Sequence, residues 1–285
     1  MLMFTFLSEN KTECPDYLAE HGLSIYIETD EMNILFDAGA SATVFQENAK
    51  MREIDLAEAD VAVVSHGHYD HTQGFPAFCE INDKAKIYIH RNAFRESYGL
   101  DENEELEEKT CGILWTEDQK RKMKSRMVFT EYSRALSEDI VISGSIPDAL
   151  GSIKTAEFFF KNEQGKLIRD DMSHEQFLIV RNRDRNGESS GIYIFSGCSH
   201  KGIKSIIQYA RTLFPKEDIA GFIAGMHLIE TSQEEREKAL NELLKQKIKV
   251  IVPAHCTGLA AICELKSSMG HMCAVASAGN QYLFM

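Results

Sequence analysis

Between residues 61 and 74 the chain reads V-A-V-V-S-H-G-H-Y-D-H-T-Q-G, so His66, His68, Asp70 and His71 follow directly on a short apolar run. Imidazole nitrogens and carboxylate oxygens at this density are ligands for a divalent ion. His66 and His68 stand two apart, which lets one turn aim both rings at a single ion. Asp70 and His71 would crowd that same tetrahedral site, so they are expected to serve a second ion beside it. Gly67 and Gly74 give the loop backbone freedom that a side chain would deny it. The plain alternative is a solvated polar loop, and a buried strand stopping abruptly in four ligand-type residues argues against it.

The same layout recurs along the chain. The strand pattern Ile192 to Ser196 runs into Gly197-Cys198-Ser199-His200-Lys201-Gly202, followed by helical spacing at Ile203, Ile206, Ile207, Ala210 and Leu213. Gly221 to Gly225 ends in Met226-His227-Leu228, and Lys249 to Val252 in Pro253-Ala254-His255-Cys256-Thr257-Gly258. A lone histidine after a strand is more often a satisfied polar residue than a ligand, but recurrence at strand ends makes His200 and His255 candidate ligands. Asp37, closing the strand Asn33 to Phe36, is placed to accept the free ring N–H of a ligand histidine and so set its tautomer. His174 also precedes a strand and competes with His200 for the first ion. His90, at the end of Lys86 to His90, has no evident partner and reads as structural.

Ser65-His66-Gly67-His68-Tyr69-Asp70-His71 resembles the H-x-H-x-D-H signature of the metallo-β-lactamase superfamily. Phe36-Asp37-Ala38-Gly39 is similar to its early aspartate motif, and Gly197-Cys198-Ser199-His200 and Pro253-Ala254-His255-Cys256 to its later ligand motifs, in the family's order. The resemblance spans nearly the whole chain. Gly225-Met226-His227-Leu228 and the final P-A-H-C-T-G bring it near the branch of 7,8-dihydropterin-6-yl-methyl-4-(β-D-ribofuranosyl)aminobenzene 5'-phosphate synthase-like proteins. The resemblance implies an α/β (α+β) fold, a four-layer αββα sandwich of two mixed sheets flanked by helices. It implies two divalent ions, zinc first with iron or manganese as alternatives: His66, His68 and His200 on one, Asp70, His71 and His255 on the other. Asp37 and Cys198 would support these ligands, Asp70 and His227 would be catalytic, and His227 and Lys201 would contact substrate. Many hydrolases of the superfamily carry a bridging aspartate where this chain has Gly197-Cys198. Either Cys198 supplies a thiolate or the bridge is missing, which would leave a cationic pocket suited to phosphate, pyrophosphate or carboxylate groups. The implied activity is hydrolysis of a small anionic, phosphorylated substrate through a metal-bound hydroxide. The alternatives are a pterin-linked synthase, in which an arylamine displaces pyrophosphate, an iron-dependent oxidoreductase, and a catalytically silent binding protein.

With 285 residues, 44% hydrophobic and 26% charged, the chain can bury a large core, and residues 1–285 are read as one domain. The 31 basic and 44 acidic residues give a net charge of −13, which opposes extended contact with nucleic acid or an anionic membrane. Seven scattered cysteines fit a reducing, cytoplasmic setting. The brief apolar start, Met1 to Leu7, has no basic flank and reads as a strand. No feature specifies an oligomeric state. Further strands are expected at Ser24 to Glu28, Ile140 to Ile146, Ala156 to Lys161, Gln176 to Val180 and Gln281 to Met285. Asp184-Arg185-Asn186-Gly187 is expected as a hairpin turn, and Ser232 with Glu235 as a capping box. Residues 91–137 differ in character, with the acidic run Asp101 to Glu108, the sole tryptophan Trp115 and the basic run Lys120 to Lys124. They are expected to form a lid, with Trp115 or Tyr98 against a planar substrate.

Overall fold

The computed structural model describes residues 1–100, 105–106, 109–153, 156–162 and 164–285. Two mixed sheets lie face to face. In the seven-stranded sheet the order is Gln281–Phe284, Leu2–Ser8, Ser24–Thr29, Asn33–Phe36, Val61–Val63, Lys86–Ile89 and Met127–Phe129. The six-stranded sheet runs Val250–Ala254, Ile219–Gly225, Ser189–Ser196, Phe177–Arg183, Ile140–Ile142 and Arg134–Ala135.

These strands are apolar on both faces because both faces are covered. Ile34 and Phe36 join Phe4, Phe6, Leu178, Phe195 and Ile223 in the layer between the sheets. Leu35 points the other way, with Ala62 and Ile87, onto Phe45, Phe75 and Phe78 of the helices Ala42–Met51 and Phe75–Ile81. On the far side Ile194 and Phe222 meet Ile206, Leu240 and Leu265 from the helices Ile203–Leu213, Gln233–Leu244 and Leu259–Met269. Helix, sheet, sheet, helix is the expected αββα order. Phe4, Phe36 and Phe195 have no exposed surface, and each such ring contributes about 1.5–3 kcal/mol by burial.

Register positions the site. In the second sheet Ser196 pairs with Ala224 and Gly225 with Ala254, all in parallel strands. The residues that follow, Gly197 to His200, Met226-His227 and His255, therefore leave the sheet side by side. In the first sheet Phe36 pairs with Val63 and Val63 with Tyr88, also in parallel, so Asp37 and Ser65 to His71 emerge at one edge. The carboxyl ends of parallel strands are where such sheets leave room for a ligand.

The Asp184 to Gly187 turn and the Ser232–Glu235 capping box form as expected. The described residues of the segment expected as a lid, 91–137, divide among several parts of the fold. Met127–Phe129 completes the first sheet and Arg134–Ala135 borders the second. Trp115 is 3% exposed; its indole N–H donates to the Thr72 carbonyl (2.8 Å), and Phe75 and Phe94 pack against its ring. It is core, not a substrate platform. Tyr98 is also buried, with the Lys161 ammonium 4.5 Å from its ring centre. Lys120, Arg121 and Lys122 pair with Glu117 and Asp118 of their own helix. Most of the acidic run, 101–104 and 107–108, lies outside the described residues. Of the strand expected over Ala156 to Lys161, Phe159–Lys161 forms and joins Ser97–Tyr98 and Leu167–Arg169 in a small third sheet.

Candidate metal centre

Two backbone features pin the His66–His71 loop. Gly67 packs so tightly that a Cβ there would lie 2.1 Å from the Ala93 carbonyl oxygen. His68 then caps the short helix Tyr69–Thr72, which turns Asp70 and His71 back towards His66. Four residues at the strand ends, Asp37, Ser199, His227 and His255, hold left-handed φ values of 57°, 59°, 47° and 48° without being glycine. Such strain costs about 1–3 kcal/mol per residue and persists where the surroundings impose it, commonly at functional sites.

Ligand-type atoms of His66, His68 and His200 lie within 4.8 Å of one another, and all three residues are buried. The His66 orientation is set from behind. The Ser65 hydroxyl donates to Asp37 Oδ2 (2.6 Å), so Ser65 Oγ accepts from His66 Nδ1–H (2.8 Å) and His66 Nε2 keeps its lone pair. His68 Nε2 and both ring nitrogens of His200 are buried without a hydrogen-bond partner among the described residues. An unpaired buried nitrogen is costly, and one nitrogen from each of these three rings, gathered within 4.8 Å, is the arrangement a cation would satisfy. Burial and then the neighbouring histidines hold His66 and His200 well below the usual histidine pKa. Burial likewise holds His68 at about 3. Neutral imidazoles are what a metal needs. Buried Glu175 fixes the loop carrying His200 by accepting from the backbone N–H groups of His200 and Lys201, at 2.7 Å each.

The second group stands beside the first. His71 Nδ1–H donates to Asp37 Oδ2 (2.7 Å), which leaves His71 Nε2 facing Cys198 Sγ at 3.2 Å and Asp70 Oδ2 at 3.8 Å. His255 Nε2 is 3.1 Å from Asp70 Oδ2, while its Nδ1–H donates to Asn10 Oδ1 at 2.7 Å. Burial raises the Asp70 carboxyl, but His71 and the hydrogen bonds from His21 and His255 win and hold it well below the usual range. Burial opposes a charged His255, yet Cys256 and Asp70 lift it to about 9. Positive charge is thus favoured at this point, where a proton and a divalent ion would compete. Cys198 is the junction: its sulfur belongs to one cluster with His66 and His71, to another with His200 and His227, and to a third with His255 and Cys256. Burial and then Cys256 push the Cys198 thiol well up; Cys256, despite burial, is held well down by Cys198, His255 and His227.

His174 does not join the cluster. It lies behind it, accepting the Gly67 N–H at Nδ1 (3.2 Å) with Nε2 towards Asp170 (3.4 Å). His90 is structural, holding Ser145 and the Asn92 N–H. His227 lines the cleft over the cluster, its ring 4.7 Å from that of His200. Lys201 does not reach the cleft. Its ammonium is held by Asp148 (2.8 Å) and the Asp171 carbonyl (3.1 Å), away from the histidines, so the expected substrate contact is corrected. The cleft encloses about 680 Å³, and Glu157, Glu230 and Glu235 are among its walls. Phe158 covers the histidines, 4.5 Å from His68 and 4.9 Å from His200 between ring centres.

Sequence reasoning missed Glu9, Asn10, His21, Phe158 and Glu175. Leu2–Ser8 runs parallel to Asn33–Phe36 through two antiparallel pairings, so its end reaches the same edge, and polar Glu9-Asn10 right after it was the available signal. His21-Gly22 repeats the His-Gly pair of the main motif. Gly22 is required because a Cβ there would lie 2.7 Å from the Asp70 carbonyl oxygen.

Residues 32–123 match the model of the β-lactamase superfamily domain. An uncharacterized protein of Methanocaldococcus jannaschii is 29% identical over 271 residues, covering 92% of this chain and 93% of the relative. The 7,8-dihydropterin-6-methyl-4-(β-D-ribofuranosyl)-aminobenzene-5'-phosphate synthase of the same organism is 30% identical over 253 residues, covering 86% of this chain and 83% of its own length. A crystal structure of a metal-dependent hydrolase of the β-lactamase superfamily superposes with a TM-score of 0.82 at 25% identity, covering 100% of this chain and 99% of that one. Among the described residues no helix is long and apolar enough to cross a membrane.

Proposed function

The chain belongs to the metallo-β-lactamase superfamily, and from that premise we propose that it is a dinuclear metal-dependent enzyme that cleaves a phosphate or pyrophosphate group from a small anionic substrate. The observation that supports this is the gathering of His66, His68 and His200 within 4.8 Å, with Asp70 3.8 Å from His71 and 3.1 Å from His255 and with Cys198 grouped with His66 and His71, with His200, and with His255; in this reading the first three would hold one ion and Asp70, His71 and His255 the other. Nitrogen-rich donors with one carboxylate suit zinc, with iron or manganese as alternatives. Bound ions would supply Lewis acidity, bringing an attacking water towards neutral pKa and offsetting charge on the leaving oxygen.

The protein's own groups do the rest. Asp37 and Ser65 hold His71 and His66 with Nε2 presented. Phe158 excludes water from one side of the triad. His227, on the cleft wall with a buried Nδ1 that has no hydrogen-bond partner among the described residues, stands where it can hand a proton to a leaving oxygen. In this reading Cys198, whose thiol burial and Cys256 keep protonated in the metal-free protein, would lose that proton to an adjacent bound ion and stand where many superfamily hydrolases have an aspartate.

The second reading is a pterin-linked synthase, in which an arylamine nitrogen replaces water as the acceptor. It is supported by the named synthase relative and by the glutamates on the cleft wall, which suit the N–H edge of a pterin. One experiment separates the two. Metal-loaded protein is given dihydropterin pyrophosphate with and without an arylamine, and pyrophosphate release and the pterin product are measured. Release independent of the amine, giving the hydroxymethyl product, supports hydrolysis. Release that requires the amine supports the synthase, and no release of phosphate or pyrophosphate from this or other phosphoesters counts against both.

A further inference from the structure

His21 lies on the connection between Leu2–Ser8 and Ser24–Thr29 and forms part of the cleft wall. Its Nε2 is 3.3 Å from Asp70 Oδ2, its ring is 4.8 Å from that of His255, and together the three residues bring ligand-type atoms within 4.8 Å of one another. By distance alone His21 is a further ligand for the second ion. The hydrogen bonds around Asn10 say otherwise.

The Gly22 backbone N–H can only donate, and it meets the Asn10 side chain at 3.2 Å, so that atom is the amide oxygen. The same oxygen takes the Nδ1–H of His255 at 2.7 Å. The amide nitrogen of Asn10 is left facing His21 Nδ1 at 3.2 Å, and an NH2 group only donates. His21 Nδ1 is therefore the acceptor, which leaves the ring N–H on Nε2. One asparagine thus orients both adjacent rings: His255 turns its Nδ1–H to the amide oxygen, and His21 is left with its N–H at Nε2, on the cleft wall 3.3 Å from Asp70 Oδ2. The frame is rigid, because Leu23 N–H donates to the Asp70 carbonyl (3.1 Å) and Gly22 packs against that same oxygen.

We infer that His21 is a substrate-binding hydrogen-bond donor rather than a metal ligand, and that its Nε2–H receives an anionic oxygen of a phosphate group bound at the Asp70–His255 side of the cleft. The inference rests on the dinuclear reading above for the place of the phosphate, but the tautomer stands on protein contacts alone. Among the described residues no lysine or arginine lines the cleft, so a donor in this position bears directly on anion affinity.

The test uses three measurements on the full chain. Long-range 15N–1H correlation spectra of metal-free protein read the His21 tautomer directly; a protonated Nε2 is expected, and a protonated Nδ1 overturns the inference. Zinc content is measured for the wild type, His21→Gln and His21→Phe. Both variants are expected to keep the wild-type stoichiometry, and loss of one equivalent makes His21 a ligand and overturns the inference. Inorganic phosphate is then titrated by calorimetry into the zinc-loaded proteins. His21→Phe is expected to bind about tenfold more weakly, the loss of one charge-assisted hydrogen bond, and His21→Gln, which keeps an N–H, to recover most of that. Unchanged phosphate affinity in His21→Phe overturns the inference. A wild type that binds no zinc would sink the dinuclear reading instead, with the tautomer spectrum still deciding the His21 assignment.

Discussion

Asp37→Asn is the sharpest perturbation of the centre, because asparagine keeps the shape and changes one atom's role. Asp37 has no exposed surface, and its carboxylate accepts from Ser65 N (2.7 Å), Ser65 Oγ (2.6 Å) and His71 Nδ1 (2.7 Å). In the variant Oδ1 can still accept from Ser65 N, but an NH2 group faces His71 and cannot accept its proton. The relief is for His71 to carry its proton on Nε2, the atom that faces Cys198 and Asp70. An N–H there closes the position to a cation. Losing such an outer partner of a ligand histidine costs about 10–100-fold in metal affinity, or about 1.4–2.7 kcal/mol. The assay is competition against a chelator of known affinity. The equivalent assigned to Asp70, His71 and His255 should weaken by that factor, and the one assigned to His66, His68 and His200 should weaken as well, because the same Oδ2 accepts from the Ser65 hydroxyl that orients His66. Two equivalents bound as tightly as in the wild type would refute the reasoning.

Metal binding at pH 8 should release a proton from His255, whose metal-free pKa is about 9; calorimetry in buffers of different ionisation enthalpy reads this, and buffer-independent heats would contradict it. Acid should destabilise the metal-free protein between pH 5.5 and 4.5. A histidine with a lowered folded pKa contributes stability that is present above the unfolded value near 6.5 and lost as pH falls, and His66, His68 (about 3), His90 (about 4) and His200 are of this kind. Each that stays neutral in that window costs about 1.4 kcal/mol per pH unit. His255 and His227, raised in the folded state, are by then protonated in both states and add no slope. Denaturant midpoints that stay flat across the window would show the burial to be misassigned. Gly67→Ala should cost about 1–3 kcal/mol or more by overpacking against the Ala93 carbonyl and weaken binding at the His66–His68–His200 set; a wild-type melting temperature with unchanged metal affinity would rule that out.

Much of this was legible because the strands are short, apolar on both faces and followed at once by their functional residues. Val61 to Val64 announces a strand buried between two layers, and the histidines after it have nowhere to go but the sheet edge. His200, His227 and His255 were found by the same rule. What escaped depends on contacts made across the sequence. Trp115 is in the core because its indole N–H finds the Thr72 carbonyl 43 residues away, a pairing no local pattern encodes. Lys201 looked available until Asp148 and the Asp171 carbonyl were seen to hold it. Phe158, expected inside a strand over Ala156 to Lys161, lies just before the three-residue strand Phe159–Lys161, and so short a segment carries too little periodicity to show which ring faces the site. His21 was overlooked because it precedes a strand rather than following one, although antiparallel pairing brings that end to the same edge.

The most direct test is anomalous diffraction from crystals of the zinc-loaded protein, recorded on both sides of the zinc absorption edge. The account predicts two neighbouring peaks, one within bonding distance of His66, His68 and His200 and one within bonding distance of Asp70, His71 and His255, with Cys198 between them. A single peak, or peaks away from both sets, would contradict it.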